Sequence, residues 1–527
     1  MTWPQIAPPR LTTAGQGESQ QIRFGDMGVG ATLQKANRPR LAGGLAKQLR
    51  SILDPLLVAA WAGLPGTAFL RVPVLGPDEG LLLVHPDQMA WGRLPYRDFF
   101  TLYGPGGFAL LKGVYALIGD SLMSERMVGL GYRVTLALGI MAALRCFGRG
   151  PAVGGAVVST FPLLGIAPLA YAWVGGLGLV VWGTALMAGR YTATRAFAAG
   201  ICLAAAAAWR FEMVVLVCAV LPLVRSMSAL RFLLAGWGLG LAPLGAFVSI
   251  VGAGNVWKCV GTRFGVDSQG YLPSISIGVW LGVVFVLAGF PAVVVVAIKR
   301  PALRRISIAW LLLGLAILPQ LLQRIDDIHL SFVAPVAWSG LFVAGCLMVA
   351  SGSLMDRLPW RAAAFIVIVA LCLSLHQAAE HIKPTAVVTG GRSLFLPPIE
   401  ASTIRSLVQF MERNVAPGQN VFIAAQDMSL PAIGQIWLYY LLPQYRASGY
   451  FLEQAPWLSP QPGSGLLSDV ENADVVITQD SRVQAAYLWP GMSAGSTEPN
   501  DHLKREFCRA WAEQGWSIYV RGHSCPH

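Results

Sequence analysis

The stretch SIGVWLGVVFVLAGFPAVVVVAI, residues 276–298, contains no charged side chain. An α-helix of about 20 apolar residues crosses the hydrocarbon core of a bilayer, so this stretch is long enough to span a membrane. A short basic loop, Lys299–Arg305, follows it directly. Short loops rich in lysine and arginine tend to stay on the cytoplasmic side. The stretch therefore predicts a membrane-spanning helix together with its orientation.

The composition of the whole chain agrees with a membrane location. Of its 527 residues, 55% are hydrophobic and 13% are charged, whereas soluble domains carry about 25% charged residues. The formal net charge of +12 could indicate a nucleic-acid partner on a soluble protein. Here the lysines and arginines cluster in short loops between apolar runs, as the positive-inside rule describes. We therefore predict an integral membrane protein with membrane lipid as a partner and with no nucleic-acid partner.

Ten further apolar runs recur along the chain, and basic loops separate many of them. The other candidate spans are 52–74, 125–145, 151–169, 171–189, 196–209, 211–224, 231–252, 306–323, 330–350 and 360–378. The basic loops, which all fall on one side, are 145–149, 190–195, 225–231, 299–305 and 356–361. The loops that fall on the other side are 76–124, 253–275 and 324–329, with the tail from 379. The pattern predicts a mainly α-helical, polytopic transmembrane domain over 51–378 with about 11 to 13 spans.

Two regions depart from a simple series of spans. The run 108–118 is short, and counting it as a span would move the basic loop 145–149 to the outer side. We interpret it as a re-entrant or interfacial helix on the outer face. The runs 196–209 and 211–224 are also short, and the polar segment Trp209-Arg210-Phe211-Glu212 separates them. They predict a pair of short helices whose apex points outward.

The two ends of the chain are more polar than its centre. Residues 1–50 are basic and include no apolar signal core, so we interpret them as a partly disordered cytoplasmic extension. From 379 to 527 the pattern becomes that of an extracytoplasmic α/β domain. Its predicted elements are a helix at 401–414 and strands at 420–425, 474–478 and 516–520. If this domain is outside, Cys508 and Cys525 could form a disulfide.

The first outer loop carries three polar motifs. They are Gly76-Pro77-Asp78-Glu79-Gly80, Gly92-Arg93-Leu94-Pro95-Tyr96-Arg97-Asp98 and Tyr103-Gly104-Pro105-Gly106. Carboxylates beside a bilayer are costly and point to a function. This loop, after a first span with a cytoplasmic N-terminus, resembles the GT-C superfamily of membrane glycosyltransferases. The similar group comprises protein O-mannosyltransferases, the lipid A aminoarabinose transferase and lipopolysaccharide-core galacturonosyltransferases. The resemblance covers 50–380 in layout and 76–107 at motif level.

The resemblance implies a GT-C fold in a bacterial inner membrane and an enzyme that uses a polyprenyl-phosphate sugar as donor. Such an enzyme would transfer a hexosyl or pentosyl group with inversion, and would need one catalytic carboxylate. The acceptor stays open between lipopolysaccharide, an arabinan or galactan, a glycolipid and a protein. Asp78 is the candidate general base, because an acceptor hydroxyl must lose a proton as it attacks. The alternative is that Asp78 and Glu79 only cap a helix at 81–86.

Other residues of the loop have less definite roles. Glu79 could assist catalysis by positioning the acceptor. Asp98 and Arg97 could line the pocket as substrate-binding residues, or Asp98 could simply pair with Arg97. Tyr96 and Tyr103 could stack on sugar or anchor the membrane interface, which is the commoner role of tyrosine there.

Two more groups of ionisable residues fall on the outer side. The segment Gln323-Arg324-Ile325-Asp326-Asp327-Ile328-His329 lies between two spans, and its candidate ligands for the donor are Arg324, Asp327 and His329. A solvated turn is the alternative for this segment. Arg210 and Glu212 could neutralise each other, or Arg210 could hold a lipid phosphate. Arg263 is a weaker candidate, as is Lys258.

A divalent metal is possible on Asp78, Glu79 and Asp98, but the resemblance does not require one, and we expect no essential cofactor. The alternative function is a transporter or flippase for a lipid-linked saccharide. Transporters often contain inverted repeats and midplane sites, and the sequence has neither pattern. A third alternative is a catalytically inactive protein that binds lipid.

Overall fold

In the computed structural model the chain is described over most of its length. The described residues are 38–74, 76–261, 276–349, 368–369, 371–377, 384–480 and 493–522. Contacts divide the chain into two compact units, 1–52 and 53–527. Most of the helical body and the whole C-terminal α/β region belong to the second unit. The predicted domain boundary at 378/379 falls outside the described residues.

The helical body is built from fourteen helices in the described part of the chain. They are α1 (Arg38–Gly63), α2 (Gly76–Ala90), α3 (Pro105–Ile118), α4 (Leu122–Leu144), α5 (Arg149–Leu164), α6 (Ala172–Ala188), α7 (Ala193–Trp209), α8 (Val217–Val220), α9 (Met227–Val251), α10 (Ala253–Val260), α11 (Ile277–Lys299), α12 (Arg304–Ile317), α13 (Pro319–Gln323) and α14 (Asp327–Val349). Within this part, six segments are long and apolar enough to cross a membrane. They contain the second half of α1, then α4, α9, α11, α12 with α13, and α14. The predicted polytopic helical architecture is confirmed.

Four shorter apolar helical segments accompany these six: α3, α6, α7 and the residues Phe211–Leu223. The sequence estimate of about 11 to 13 spans counted most of them as full spans. The segment predicted as a helix over 211–224 is mainly 3-10 helix, because Pro222 and the β-branched residues Val214 and Val215 weaken an α-helix there. The candidate span 360–378 lies mostly outside the described residues.

The acidic pair Asp78-Glu79 lies inside a helix and not in a loop. α2 begins at Gly76, so the pair forms part of its first turn. Gly76 has a φ of 67°, a conformation that favours glycine. Proline is favoured at the first helical positions and carboxylates stabilise the first turn, which explains the early start at Gly76-Pro77. The helix expected at 81–86 therefore starts earlier and extends to Ala90.

The C-terminal region is an α/β fold, as predicted. Its main sheet has the order β4 (Arg446–Ala447), β3 (Asn420–Ala425), β5 (Val475–Gln479), β7 (Trp516–Arg521), β6 (Phe507–Glu513). β4, β3 and β5 are parallel, while β7 and β6 are antiparallel. A separate hairpin pairs β1 (Thr385–Thr389) with β2 (Arg392–Leu396). The remaining helices are α15 (Pro398–Asn414), α16 (Trp437–Tyr440), α17 (Leu466–Glu471) and α18 (Glu498–Glu506).

The three predicted strands correspond to β3, β5 and β7, and the predicted helix at 401–414 is α15. The hairpin and the edge strands β4 and β6 were not predicted, because these strands are short or have an irregular burial pattern. Cys508 is disulfide-bonded. Its predicted partner, Cys525, lies outside the described residues.

The C-terminal region packs directly on α2 and the segment that follows it. The Arg93 guanidinium donates to the carbonyl oxygens of Ala447 at 2.8 Å and Gly449 at 2.7 Å. Arg392 of β2 pairs with Asp87 at 2.6 Å and also with Asp120. A Cβ atom at Gly80 would lie 2.6 Å from the backbone nitrogen of Trp437, so α2 and α16 are in close contact.

A buried ion pair fixes the start of α2 against α4. The Arg126 Nε and Nη2 atoms donate to the two carboxylate oxygens of Glu79 at 2.6 and 2.9 Å. Both side chains have zero exposure. Arg126 also donates to the carbonyl oxygens of Phe69, Leu70 and Val72. One guanidinium thus joins α4, the connection before α2, and the first turn of α2.

Replacing Glu79 by Gln should destabilise the protein strongly, because the buried Arg126 would keep its charge without a counter-charge. Breaking a buried pair in this way costs about 3–5 kcal/mol, so we expect the Tm of the detergent-solubilised protein to fall by several degrees. Arg97→Gln is the matched control, since it breaks an exposed pair with Asp98 and should leave the Tm unchanged. Equal Tm values for E79Q and the wild type would contradict the stabilising role of the Glu79–Arg126 pair.

Candidate active site

Asp78 is half-buried and has a tyrosine as its hydrogen-bond partner. The Tyr103 hydroxyl donates to Asp78 Oδ1 at 2.9 Å. Tyr103 lies just before α3, and the Gly104 backbone N–H donates to the carbonyl oxygen of Trp209 at 2.9 Å. A Cβ atom at Gly104 would lie 2.3 Å from the carbonyl oxygen of Ala208. Glycine is therefore required there for the Tyr103 segment to rest against the end of α7.

Arg210 lies at the break that follows α7, where it reaches the face of the Tyr103 ring. Its guanidinium carbon is 5.4 Å from the centre of the Tyr103 ring and 5.6 Å from that of the Trp173 ring. Such distances allow cation–π attraction. Arg210 also interacts electrostatically with Asp78. The structure therefore brings together four predicted site residues from three segments: Asp78, Tyr103, Arg210 and Glu212.

The pairing of Arg210 with Glu212 leaves part of the guanidinium available. Arg210 Nε donates to Glu212 Oε1 at 2.7 Å, and Nη2 donates to the same oxygen. A guanidinium carries five N–H donors in a fixed plane. Nη1 and the second hydrogen of Nη2 form the other edge of that plane, which has the geometry for a second, bidentate acceptor.

Arg324, Asp326 and His329 form a second polar cluster. Arg324 Nε lies 2.5 Å from Asp326 Oδ2, and His329 Nδ1 lies 2.8 Å from Asp326 Oδ1. Burial raises the pKa of Asp326, but the hydrogen bonds from His329, together with the charges of His329 and Arg324, outweigh it and hold that pKa below its usual value. Asp327, the carboxylate chosen from sequence, is exposed at the start of α14. Asp326 is therefore the residue that organises this cluster.

An aromatic wall connects the two clusters. Trp173 is near Arg210, and its ring centre is 6.1 Å from that of Phe332. The Phe332 ring lies 5.9 Å from the His329 ring and 5.5 Å from the Tyr171 ring. The sequence did not mark these three aromatic residues as site residues, because they lie in apolar runs where aromatic side chains are expected as core or interface residues.

The Tyr96-Arg97-Asp98 segment forms a tight turn whose first residue contacts the Tyr103 backbone. Tyr96 is buried with a φ of 69°, and its hydroxyl donates to the Tyr103 carbonyl oxygen. Asp98 Oδ2 accepts from the Leu94 backbone N–H at 2.7 Å. The hydrogen bond from Arg97, together with that from Leu94, holds the pKa of Asp98 below its usual value. These contacts support the turn, and Tyr96 in particular is too buried to stack on a sugar.

The remaining predicted residues differ in position. Glu79 is buried against Arg126, so its carboxylate supports the helix and does not face a reactant. Lys258 lies in the last turn of α10, and its Nζ atom is 5.6 Å from the centre of the Tyr450 ring. Arg263 lies outside the described residues. Over the described residues, no group of three His, Cys, Asp or Glu side chains forms a metal site.

The chain resembles known proteins in its structure and not in its sequence. No family model matches the sequence, and no curated protein matches it. ArnT from Cupriavidus metallidurans in the apo state has a TM-score of 0.52 and 12% identity, covering 91% of this chain and 98% of ArnT. ArnT bound to undecaprenyl phosphate has a TM-score of 0.50 and 13% identity, with the same coverage. An oligosaccharyltransferase from Archaeoglobus fulgidus has a TM-score of 0.48 and 12% identity, covering 90% of this chain and 73% of that chain. Because ArnT is a GT-C glycosyltransferase, this chain has the GT-C fold.

Proposed function

We propose that this protein is an inverting glycosyltransferase that moves a sugar from a polyprenyl-phosphate donor to an acceptor hydroxyl. The proposal depends on one observation: Tyr103 binds Asp78 through its hydroxyl and Arg210 through its ring. The Asp78 carboxylate and the Arg210 guanidinium therefore contact the same side chain, one at the Tyr103 hydroxyl and the other at the face of its ring. The fold shared with ArnT, which binds undecaprenyl phosphate, supports the donor class.

Asp78 would act as the general base. Among the described residues, Tyr103 is its hydrogen-bond partner through Oδ1, so Oδ2 can accept from an acceptor hydroxyl. As the acceptor oxygen attacks the anomeric carbon, its proton passes to Asp78. A single displacement at that carbon inverts its configuration. A positioned base typically accelerates such a step about 10²–10⁴-fold.

Arg210 would hold the donor phosphate. As the new glycosidic bond forms, the bond between the anomeric carbon and the phosphate oxygen breaks, and the electron pair leaves with the lipid phosphate. The free edge of the Arg210 guanidinium can bind two phosphate oxygens while Glu212 keeps the other edge. The stabilised leaving group is already a weak base, so a general acid is not needed.

The second cluster would contact the donor at the other end of the aromatic wall from Arg210. Arg324 and His329 are held by Asp326 and lie next to Phe332. A donor whose phosphate binds Arg210 would have this cluster at the other end of the Trp173–Phe332 pair. Asp327, which is exposed nearby, could contact the donor or acceptor at the rim.

We place this site on the outer face of a bacterial inner membrane. The basic loops that fall on one side support a cytoplasmic N-terminal extension, 1–50, and an extracytoplasmic C-terminal domain, 379–527. The helical domain between them, residues 51–378, would contain the residues that catalyse the sugar transfer. The acceptor would be a glycan, glycolipid or protein of the cell envelope.

Asp78→Asn should lower the rate of sugar transfer by about 10²–10⁴-fold, because the amide cannot take the proton. The Asn carbonyl can still accept from Tyr103, so folding and binding of undecaprenyl phosphate should persist. We would measure release of undecaprenyl phosphate from a panel of undecaprenyl-phosphate sugars, with envelope extracts as acceptor source. Asp501→Asn, an exposed acid of the C-terminal region, is the control. Transfer at the wild-type rate in D78N would exclude Asp78 as base, and lipid movement without transfer would favour a flippase.

Arg210→Lys should weaken binding of undecaprenyl phosphate by about 10- to 100-fold, because an ammonium cannot replace the bidentate fork. Saturation binding to the protein in nanodiscs would measure this. Arg97→Lys, an exposed arginine of the same outer segment, should bind like the wild type. A loss of binding in Arg324→Lys but not in R210K would instead assign the phosphate to the second cluster.

A further inference from the structure

A cleft of about 490 Å³ lies at the far end of α2 from Asp78. One wall is the turn after α2, with Trp91, and the other is the edge strand β4 with the residues around it. Its polar lining includes Asn420, Gln444, Arg446 and Ser448. The site proposed for sugar transfer uses none of these residues.

The floor of the cleft is fixed by hydrogen bonds. Arg93, which lines the cleft, donates to Gln88 Oε1 at 2.7 Å and to the carbonyl oxygens of Ala447 and Gly449. These bonds tie the end of α2 to the segment after β4. The cleft is therefore preorganised between two parts of one compact unit, which lowers the entropic cost of binding.

Ser448 has a hydroxyl without a partner. Ser448 lines the cleft and is 8% exposed, whereas its Oγ atom is itself buried and makes no hydrogen bond within the described part of the chain. Burying an unsatisfied hydroxyl is costly, and such groups in native structures call for an explanation. A rotation of the side chain that turned this hydroxyl toward the cleft would let a ligand that carries hydroxyl groups supply the missing partner.

The rest of the lining fits a saccharide with negative charge. The Trp91 indole is 50% exposed and offers an apolar face to the C–H groups of a sugar ring. Arg446 is exposed, and its guanidinium has no ion-pair partner among the described residues. Of the described residues that line the cleft, two are arginines and none is acidic. A carboxylate on the sugar would complement Arg446.

We propose that this cleft is a second binding site that holds an acidic saccharide segment of the acceptor. The proposal rests on the proposed function for the source of the saccharide. α2 connects the two sites: from Asp78 to Ala90 it is about 18 Å long at 1.5 Å per residue. An acceptor of a few sugar units could place one unit at Trp91 and its reacting hydroxyl at Asp78.

The test is a titration of the full-length protein in nanodiscs with digalacturonate, followed by saturation-transfer difference NMR, with the neutral disaccharide galactobiose as comparison. We expect saturable binding of digalacturonate by the wild type. W91A and S448A should weaken it by about tenfold or more. R446Q should weaken binding of digalacturonate but not of galactobiose. W257A removes an exposed tryptophan of α10 and should bind like the wild type.

Two results would overturn the proposal: no saturable binding of digalacturonate by the wild type, or unchanged affinity in both W91A and R446Q. Binding of galactobiose as tight as that of digalacturonate would overturn the preference for acidic sugars. The titration contains no polyprenyl phosphate and no donor sugar. Its outcome is therefore separate from the tests of Asp78 and Arg210, and either proposal can fail alone.

Discussion

The buried pair between Glu79 and Arg126 determines where the candidate active site can form. Two fully buried charges are tolerated because each carboxylate oxygen of Glu79 accepts from Arg126 and the other guanidinium donors reach backbone carbonyls. Successive residues of an α-helix point about 100° apart, at 3.6 residues per turn. Once Glu79 is directed at α4, Asp78 must point to another side of α2, and that side is where Tyr103 lies. The buried carboxylate of Glu79 therefore orients Asp78, the carboxylate of the candidate active site.

α2 also connects the membrane body to the C-terminal region. Its first turn holds Asp78, and Gly80, directly after that turn, packs on α16. Its end is followed by Arg93, which binds the backbone of β4 and of the segment after it. Because one rigid helix makes all these contacts, the α/β region cannot shift without moving the first turn. The α/β region therefore contributes to the position of Asp78, a carboxylate that it does not itself contain.

The sequence predicted the membrane helices and the central strands, since apolar length and alternation are short-range signals. Local motifs singled out Asp78 as the candidate base, which stays a prediction. The sequence also singled out Arg210 and Glu212, as charges within an apolar segment. It did not predict that Glu79 is buried, because its partner Arg126 lies 47 residues away and the pairing depends on tertiary packing. From the sequence we chose Asp327 and not its neighbour Asp326 as the candidate ligand. Which of the two carboxylates contacts His329 depends on where α14 begins, and the structure shows that it is Asp326.

Tyr103 separates two groups that would otherwise neutralise each other. Over the described residues, Asp78 and Arg210 form no direct ion pair. A direct pair would lower the basicity of the carboxylate and occupy the guanidinium. With Tyr103 between them, the carboxylate keeps one oxygen available and the guanidinium keeps one edge. Glu212 provides the counter-charge that a nearly buried arginine needs. In the proposed mechanism, a base and a phosphate anchor can therefore coexist in one site because a neutral side chain, which contacts both Asp78 and Arg210, lies between them.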